Sequence, residues 1–155
     1  MTKLSWQDKL NNSKDLPKIV VAKGNLAKHW GEGKMAIPCP LDVDEIMKKV
    51  PKGKVITVSE IRKAVAKKYK ADYGCPLTSG IFTWISANAA EETKSQGKKN
   101  TTPYFRTLKS GGEINPKYPG GIEAQKKLLE KEGHKIIQKG KKYFVLDYEK
   151  KLVKI

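Results

Sequence analysis

Cysteine and arginine are the residues this chain barely uses. Cys39 and Cys75 are the only two cysteines in 155 residues, too few for a disulfide framework, so a reducing, cytoplasmic setting is expected. The two histidines, His29 and His134, stand apart from each other and from the cysteines. With no C-x2-C or H-x3-H pair, no metal site is expected, and no cofactor either. No apolar run approaches the length of a membrane span, and the polar first residues lack a signal-peptide core, so no membrane role is expected. No internal repeat is visible, and the length suits one folded domain with an extension.

Positive charge is what the chain has in excess. Thirty-two basic residues oppose sixteen acidic ones, for a net charge of +16 and a pI near 9.8. All but Arg62 and Arg106 of the basic residues are lysine. Such a balance favours a polyanionic partner, nucleic acid first, the plainer alternative being a solubilising surface. Lysine binds phosphate as a point charge and reads bases poorly, so the charge argues for backbone contact. Residues 1–36 hold seven lysines against three acids, 37–93 nine basic residues against seven, and 94–155 sixteen against six. The last third therefore carries the field.

The order of elements reads as α+β. Residues 1–36 show little periodicity and are expected to form a basic N-terminal extension, a loosely packed arm whose Trp6 and Trp30 dock it somewhere. A helix over Asp42–Val50 is closed by Pro51, a turn follows at Pro51–Lys54, and Val55–Ile56 is a brief strand. Thr57-x-x-Glu60 is a capping box opening a helix with Ile61, Ala64, Val65 and Tyr69 on one face. A third helix after Cys75-Pro76 carries Ile81, Phe82, Ile85 and Ala89, so the pair reads as a helix-turn-helix. Lys94–Asn100 is a loop, residues 121–132 a fourth helix stopped at Gly133, and Lys139-Gly140-Lys141 the turn of a terminal β-hairpin. Residues 37–155 are thus expected to be a winged-helix-like domain.

One ordered set of motifs goes further than composition. Thr102-Pro103-Tyr104-Phe105-Arg106 is followed by Gly111-Gly112-Glu113, by Tyr118-Pro119-Gly120-Gly121, and by Leu128-Leu129-Glu130-Lys131-Glu132-Gly133-His134. Joined to the Pro-x-Gly-x-Val-x-Thr run of Pro51–Thr57, this resembles the C-terminal domain of the O6-alkylguanine-DNA alkyltransferases. That family carries Pro-Cys-His-Arg, then Tyr-x-Gly-Gly, then a helix ending in Leu-Leu-x-x-Glu-Gly-His.

The departures lie in the chemistry. Tyr104 stands where the family has its nucleophilic cysteine, and Phe105 where it has the histidine that deprotonates the thiol. A phenol without an activating base does not take an alkyl group as a thiolate does. The resemblance is therefore closest to the non-catalytic alkyltransferase-like proteins, and no enzyme is expected. Glu132 matches the acid that orients the family's histidine, but with Phe105 present a helix-end residue held by a local hydrogen bond is the better reading. Val58 stands where the family has a tyrosine that helps rotate the target phosphate, and Leu77 where an arginine holds the flipped nucleotide out.

The resemblance implies a lesion pocket of Pro103, Tyr104, Phe105, Arg106, Tyr118 and Gly120. Tyr104 and Phe105 either stack on an extruded base or plug the old cavity. It implies DNA contacts at Thr57, Leu77, Thr78, Ser79 and Gly80, with Lys109 and Lys117 flanking the glycine loop. Leu77 is a wedge between base steps or a buried helix-start residue. Thr78 and Ser79 donate to phosphate or serve as caps, and Gly80 admits DNA or packs on a neighbouring helix. Cys75 is expected to be a buried structural residue.

Double-stranded DNA, alkylated or distorted, is the expected partner of a monomeric chain that flags lesions for a downstream repair protein. The alternatives are a DNA or structured-RNA module without lesion preference, and an enzyme using another nucleophile, for which no base–nucleophile pair is visible.

Overall fold

The computed structural model describes residues 5–154, apart from the side chains of Leu26, His29 and Trp30. The expected docking of Trp30 lies outside the described residues. At the centre are two helices that the local sequence starts and stops. α4 (Val58–Tyr69) begins at Thr57, whose hydroxyl accepts from the Glu60 amide at 3.4 Å and donates to the Glu60 carboxylate at 3.3 Å. It ends at Lys70 in the left-handed conformation. A two-residue strand, β4 (Tyr73–Gly74), turns the chain into α5 (Pro76–Ser95), a 20-residue helix with proline at its first position, where the missing N–H costs nothing. Gly74 is required where it is: a Cβ there would lie 2.5 Å from the Arg62 carbonyl oxygen of α4.

α3 (Pro40–Lys48) precedes this pair and is tied to both helices by buried carboxylates. Asp42 accepts from the Cys39 amide at 3.1 Å, the Lys68 ammonium at 2.7 Å and the Tyr69 hydroxyl at 2.6 Å. Burial alone would raise its pKa, but these donors outweigh it and hold the carboxyl below its ordinary value. Asp44 accepts from the Ser86 and Thr102 hydroxyls, joining α3 to α5 and to the loop before Pro103.

The N-terminal third differs from the expected loose arm. α1 (Trp6–Asn11) packs along α5, and β1 (Lys18–Ala22), α2 (Asn25–Trp30) and β2 (Gly33–Ile37) follow. β1 and β2 are antiparallel from Lys18↔Ile37 to Ala22↔Gly33, and β2 pairs in parallel with β4 through Met35↔Tyr73 and Ala36↔Gly74. The boundary expected after residue 36 therefore falls inside a strand. The reason is the open backbone edge of β4, which recruits β2 and buries Met35 and Ala36.

The C-terminal part returns to the centre. β3 (Ile56–Thr57) pairs in parallel with β5 (Thr107–Leu108), α6 (Gly121–Lys131) follows the glycine loop, and β6 (Ile136–Lys139) and β7 (Lys142–Val145) form the expected hairpin. One apolar cluster fills the space between α3, α4 and α5, with Met47, Ile56, Ile61 and Val65 at its centre. A second, of Val55, Leu108, Ile114, Leu129 and Val145, lies under α6 and the hairpin, and Phe105 packs against both. The architecture is α+β, a helix-turn-helix core with a C-terminal β-hairpin. On α5 the buried side is lined by Ser79, Phe82, Thr83, Ser86, Ala87, Ala89 and Ala90. Ile81, expected inside, points out.

Candidate nucleic-acid interface

Leu77, Ile81 and Trp84 follow one another at i, i+4 and i+7 along the first half of α5, so one face presents all three. They are 57%, 42% and 37% exposed. Facing this ridge across a cleft of about 550 Å³ are Val58 at the start of α4 and the loop residues Lys109, Ser110, Asn115 and Lys117. The Ser59 and Ser110 hydroxyls meet at 2.8 Å and fix the loop against α4. Gly80 lies on the cleft wall, and a Cβ added there would meet nothing within 4 Å.

The structure thus brings together Leu77, Gly80, Lys109 and Lys117, with Val58 beside them. Leu77 is not a buried helix-start residue, and neighbour packing does not account for Gly80. The other expected DNA contacts stand elsewhere. Thr57 is buried as the cap of α4. Thr78 and Ser79 fall inside the first turns of α5, after the capping residue Cys75, and so are not its caps. The hydroxyl oxygens of both are buried without a partner in the protein. Lys109 leans toward Glu113 at 3.8 Å but stays half exposed, a weak pairing that leaves its charge available.

The Pro103–Arg106 motif is turned inward, and its six expected pocket residues do not form one open pocket. Pro103, Tyr104 and Phe105 border a separate cleft of about 490 Å³ with Glu91, Lys94 and Lys98. Tyr104 is only 5% exposed. Its ring meets Tyr118 edge-on at 5.5 Å and Phe105 at 6.3 Å, and its hydroxyl donates to Glu91 at 2.7 Å. Burial, then the Glu91 carboxylate, raises its pKa, so the phenol stays protonated. Tyr118 is buried too, which pushes its pKa up to about 12. The Tyr104 ring is thus packed into the core, with its edge on the cleft that Phe105 also lines.

Arg106 is largely buried and spends its guanidinium inside the protein. Its Nε and Nη2 donate to the two Glu132 oxygens at 2.7–3.2 Å, and Nη1 donates to the Val50 carbonyl at 2.8 Å. Glu132 also accepts from the Gly53 amide at 3.3 Å. It is therefore held by long-range partners, not by the local bond expected of a helix end. Gly120 caps α6 at φ 81°, where a Cβ would lie 2.5 Å from the Ala124 methyl, a fold requirement and not a wall of the cleft.

Sequence reasoning missed Ile81, Trp84, Ser110 and Asn115. The i, i+4, i+7 spacing groups Leu77, Ile81 and Trp84 on one face of α5, but no sequence signal marks that face as exposed or brings Ser110 and Asn115 to it. Among the described residues no three His, Cys, Asp or Glu side chains come together in a metal-binding group. Cys75 is buried.

No family model matches the chain, and no curated protein matches it by sequence. Solved structures do match. One is of S. pombe Atl1 in complex with damaged DNA containing O6-carboxymethylguanine, and another is of S. pombe ATL in complex with DNA. Each is 24% identical, with a TM-score of 0.55 over 75% of this chain and 94% of that chain. The likeness is one of fold: this chain is built like S. pombe Atl1, and a further quarter of its length lies outside the shared part.

Proposed function

We propose that the protein binds double-stranded DNA through the cleft beside α5, transfers no group to or from it, and holds alkylated or distorted duplex for repair. The observation that carries this is the juxtaposition of an exposed apolar ridge with Lys109 and Lys117 around an open glycine. Lysines on the cleft rim supply sequence-independent attraction to phosphate. Leu77 and Ile81 are the kind of side chains that wedge between base steps and kink a duplex, and Gly80 lets a backbone or base come close. That S. pombe Atl1, of the same fold, is known in complex with damaged DNA supports the choice of partner. With Tyr104 in the core and Phe105 beside it, no nucleophile–base pair stands at the motif, which supports a binding role.

The packing of Tyr104 against Tyr118 favours a second reading, a duplex-binding module without lesion preference, because an extruded base finds the old reaction site filled. Under the first reading the base is held in the cleft lined by Val58 and Thr83. Fluorescence anisotropy with matched duplexes, with and without one O6-alkylguanine, at two salt concentrations separates them. Affinity for both is expected to fall steeply with salt, with the alkylated duplex preferred. Equal affinities leave the second reading, and salt-independent affinity removes both.

A further inference from the structure

We infer that the short helix α1 belongs to the surface that meets DNA, with Trp6 and Lys9 carrying the contact along α5 beyond the cleft. This rests on the duplex-binding reading and extends it to a segment that reading does not use.

The outer side of α5 changes character along its length. Its first half offers Leu77, Ile81 and Trp84 beside two lysines. Its second half carries the adjacent carboxylates Glu91 and Glu92, which would repel a phosphate backbone running on from the cleft. Both are engaged within the protein. Glu91 accepts the Tyr104 hydroxyl. Glu92 accepts the first two amides of α1, from Trp6 at 3.0 Å and Gln7 at 3.1 Å. The Gln7 side-chain amide adds bonds to the Ala89 carbonyl and the Thr93 hydroxyl, and Leu10 is buried. Ser5 and Asp8 close the turn with a reciprocal capping box, so α1 is held in a defined place.

What α1 puts in place of the acids suits DNA. The Trp6 ring stands edge-on to Trp84, centroids 4.8 Å apart at 83°, and so continues the ridge of Leu77, Ile81 and Trp84. The Lys9 ammonium sits 4.1 Å from the centre of the Trp6 ring. Two indoles with a cation over one of them fit one occupant, the sugar–phosphate backbone of the duplex seated in the cleft: deoxyribose packs on the indoles and a phosphate pairs with Lys9. The segment thus masks one carboxylate and sets the Lys9 ammonium beside the ridge, while its own Asp8 carboxylate accepts the Ser5 amide in the capping turn.

Lys9→Gln, Trp6→Ala and Lys109→Gln in the full chain, titrated with fluorescent duplex over a salt series, test this. Lys9→Gln should lower the slope of log K against log salt by about 0.9, the value for one phosphate contact, with an unchanged melting temperature. Trp6→Ala should weaken duplex binding about tenfold, within the range for aromatic contacts to nucleotides. A Lys9→Gln slope equal to that of the parent, with a reduced slope for Lys109→Gln, overturns the role of α1 and leaves duplex binding standing. A parent protein that binds no duplex overturns the reading beneath it as well. Because Lys9 is only partly buried and is changed in a separate variant, its result stands even if Trp6→Ala loosens α1.

Discussion

Arg106 and Glu132 meet fork to fork, with the guanidinium Nη2 2.7 Å from one carboxylate oxygen and Nε within 3.2 Å of both. Both side chains are largely buried, and the same guanidinium reaches the Val50 carbonyl. The pair therefore ties the end of α6 to the turn before α4. Removing one member strands the other as a buried charge, so Arg106→Ala is expected to cost about 3–5 kcal/mol. Arg106→Lys should recover little, because an ammonium cannot span two oxygens and a carbonyl in one plane. Chemical denaturation of the three proteins checks this, and a drop under about 1 kcal/mol for Arg106→Ala would mark the pair as incidental.

Tyr104 is expected to matter for stability more than for discrimination. Tyr104→Ala opens a cavity among Phe105, Tyr118 and the first apolar cluster and should cost about 3 kcal/mol or more. Tyr104→Phe loses one hydrogen bond to Glu91 and should cost about 1 kcal/mol. The folded fraction of either variant should keep the parent's ratio of affinities for alkylated and plain duplex. A selective loss on alkylated duplex would show instead that the ring touches the lesion. Tyr104→Cys should take up no alkyl group, since Phe105 supplies no base and Glu132 is held by Arg106. Intact mass after incubation with alkylated duplex reads this directly.

Gly80→Ala should move stability and binding in opposite directions. An alanine is favoured over glycine inside a helix by about 1 kcal/mol, and the structure offers its methyl free space. Melting temperature should therefore rise. The same methyl would stand on the cleft wall where DNA is proposed to approach, so duplex affinity should fall several-fold. A variant that is more stable and binds equally well would place the duplex away from this part of α5.

His134 gives stability an acid-side slope. It is buried, its Nε2 has no partner in the protein, and burial lowers its pKa below 6.5, with Lys151 adding to this and Glu132 opposing it. The folded protein thus binds the proton less readily than the unfolded chain. As pH falls through about 6.5 the unfolded state protonates first and stability drops, the loss ending below the folded-state pKa; above that range His134 contributes no pH dependence. Denaturation at pH 5 and pH 8 for the parent and His134→Gln should show a smaller difference in the variant.

Much of the central architecture is written locally. Thr57 and Glu60 mark the start of α4, Pro76 that of α5, and Gly140 the hairpin turn, each through chemistry confined to a few residues. The N-terminal sheet was hidden because β4 is two residues long and offers an edge only once α4 and α5 have placed it. The exposed ridge of α5 was hidden for a different reason. That helix buries Phe82 and Ala89 and packs Ile85 against the core as its pattern suggests, but it also buries serine and threonine and leaves Leu77, Ile81 and Trp84 outside, so apolar character alone did not mark the exposed ridge. The motif at Pro103–Arg106 was visible, but its direction was not: whether Tyr104 looks out or in depends on Glu91 and Tyr118, which only the fold brings near.

The parallel pairing of β3 with β5 has a bearing on when the protein becomes competent. β3 leads directly into Val58 and β5 directly into Lys109, side by side on the wall that faces the α5 ridge. Val55, just ahead of β3, exchanges backbone hydrogen bonds with Lys151 and Val153. The wall facing the α5 ridge is therefore held together by pairings among residues 55–57, 107–108 and 151–153, whose closure carries the entropy of long intervening loops. During synthesis α4 and α5 emerge first, yet the wall facing the ridge is not tied in place until residues 151–153 arrive. A growing polypeptide that lacks residues 151–153 would thus carry the lysines and the apolar ridge without the shaped cleft between them.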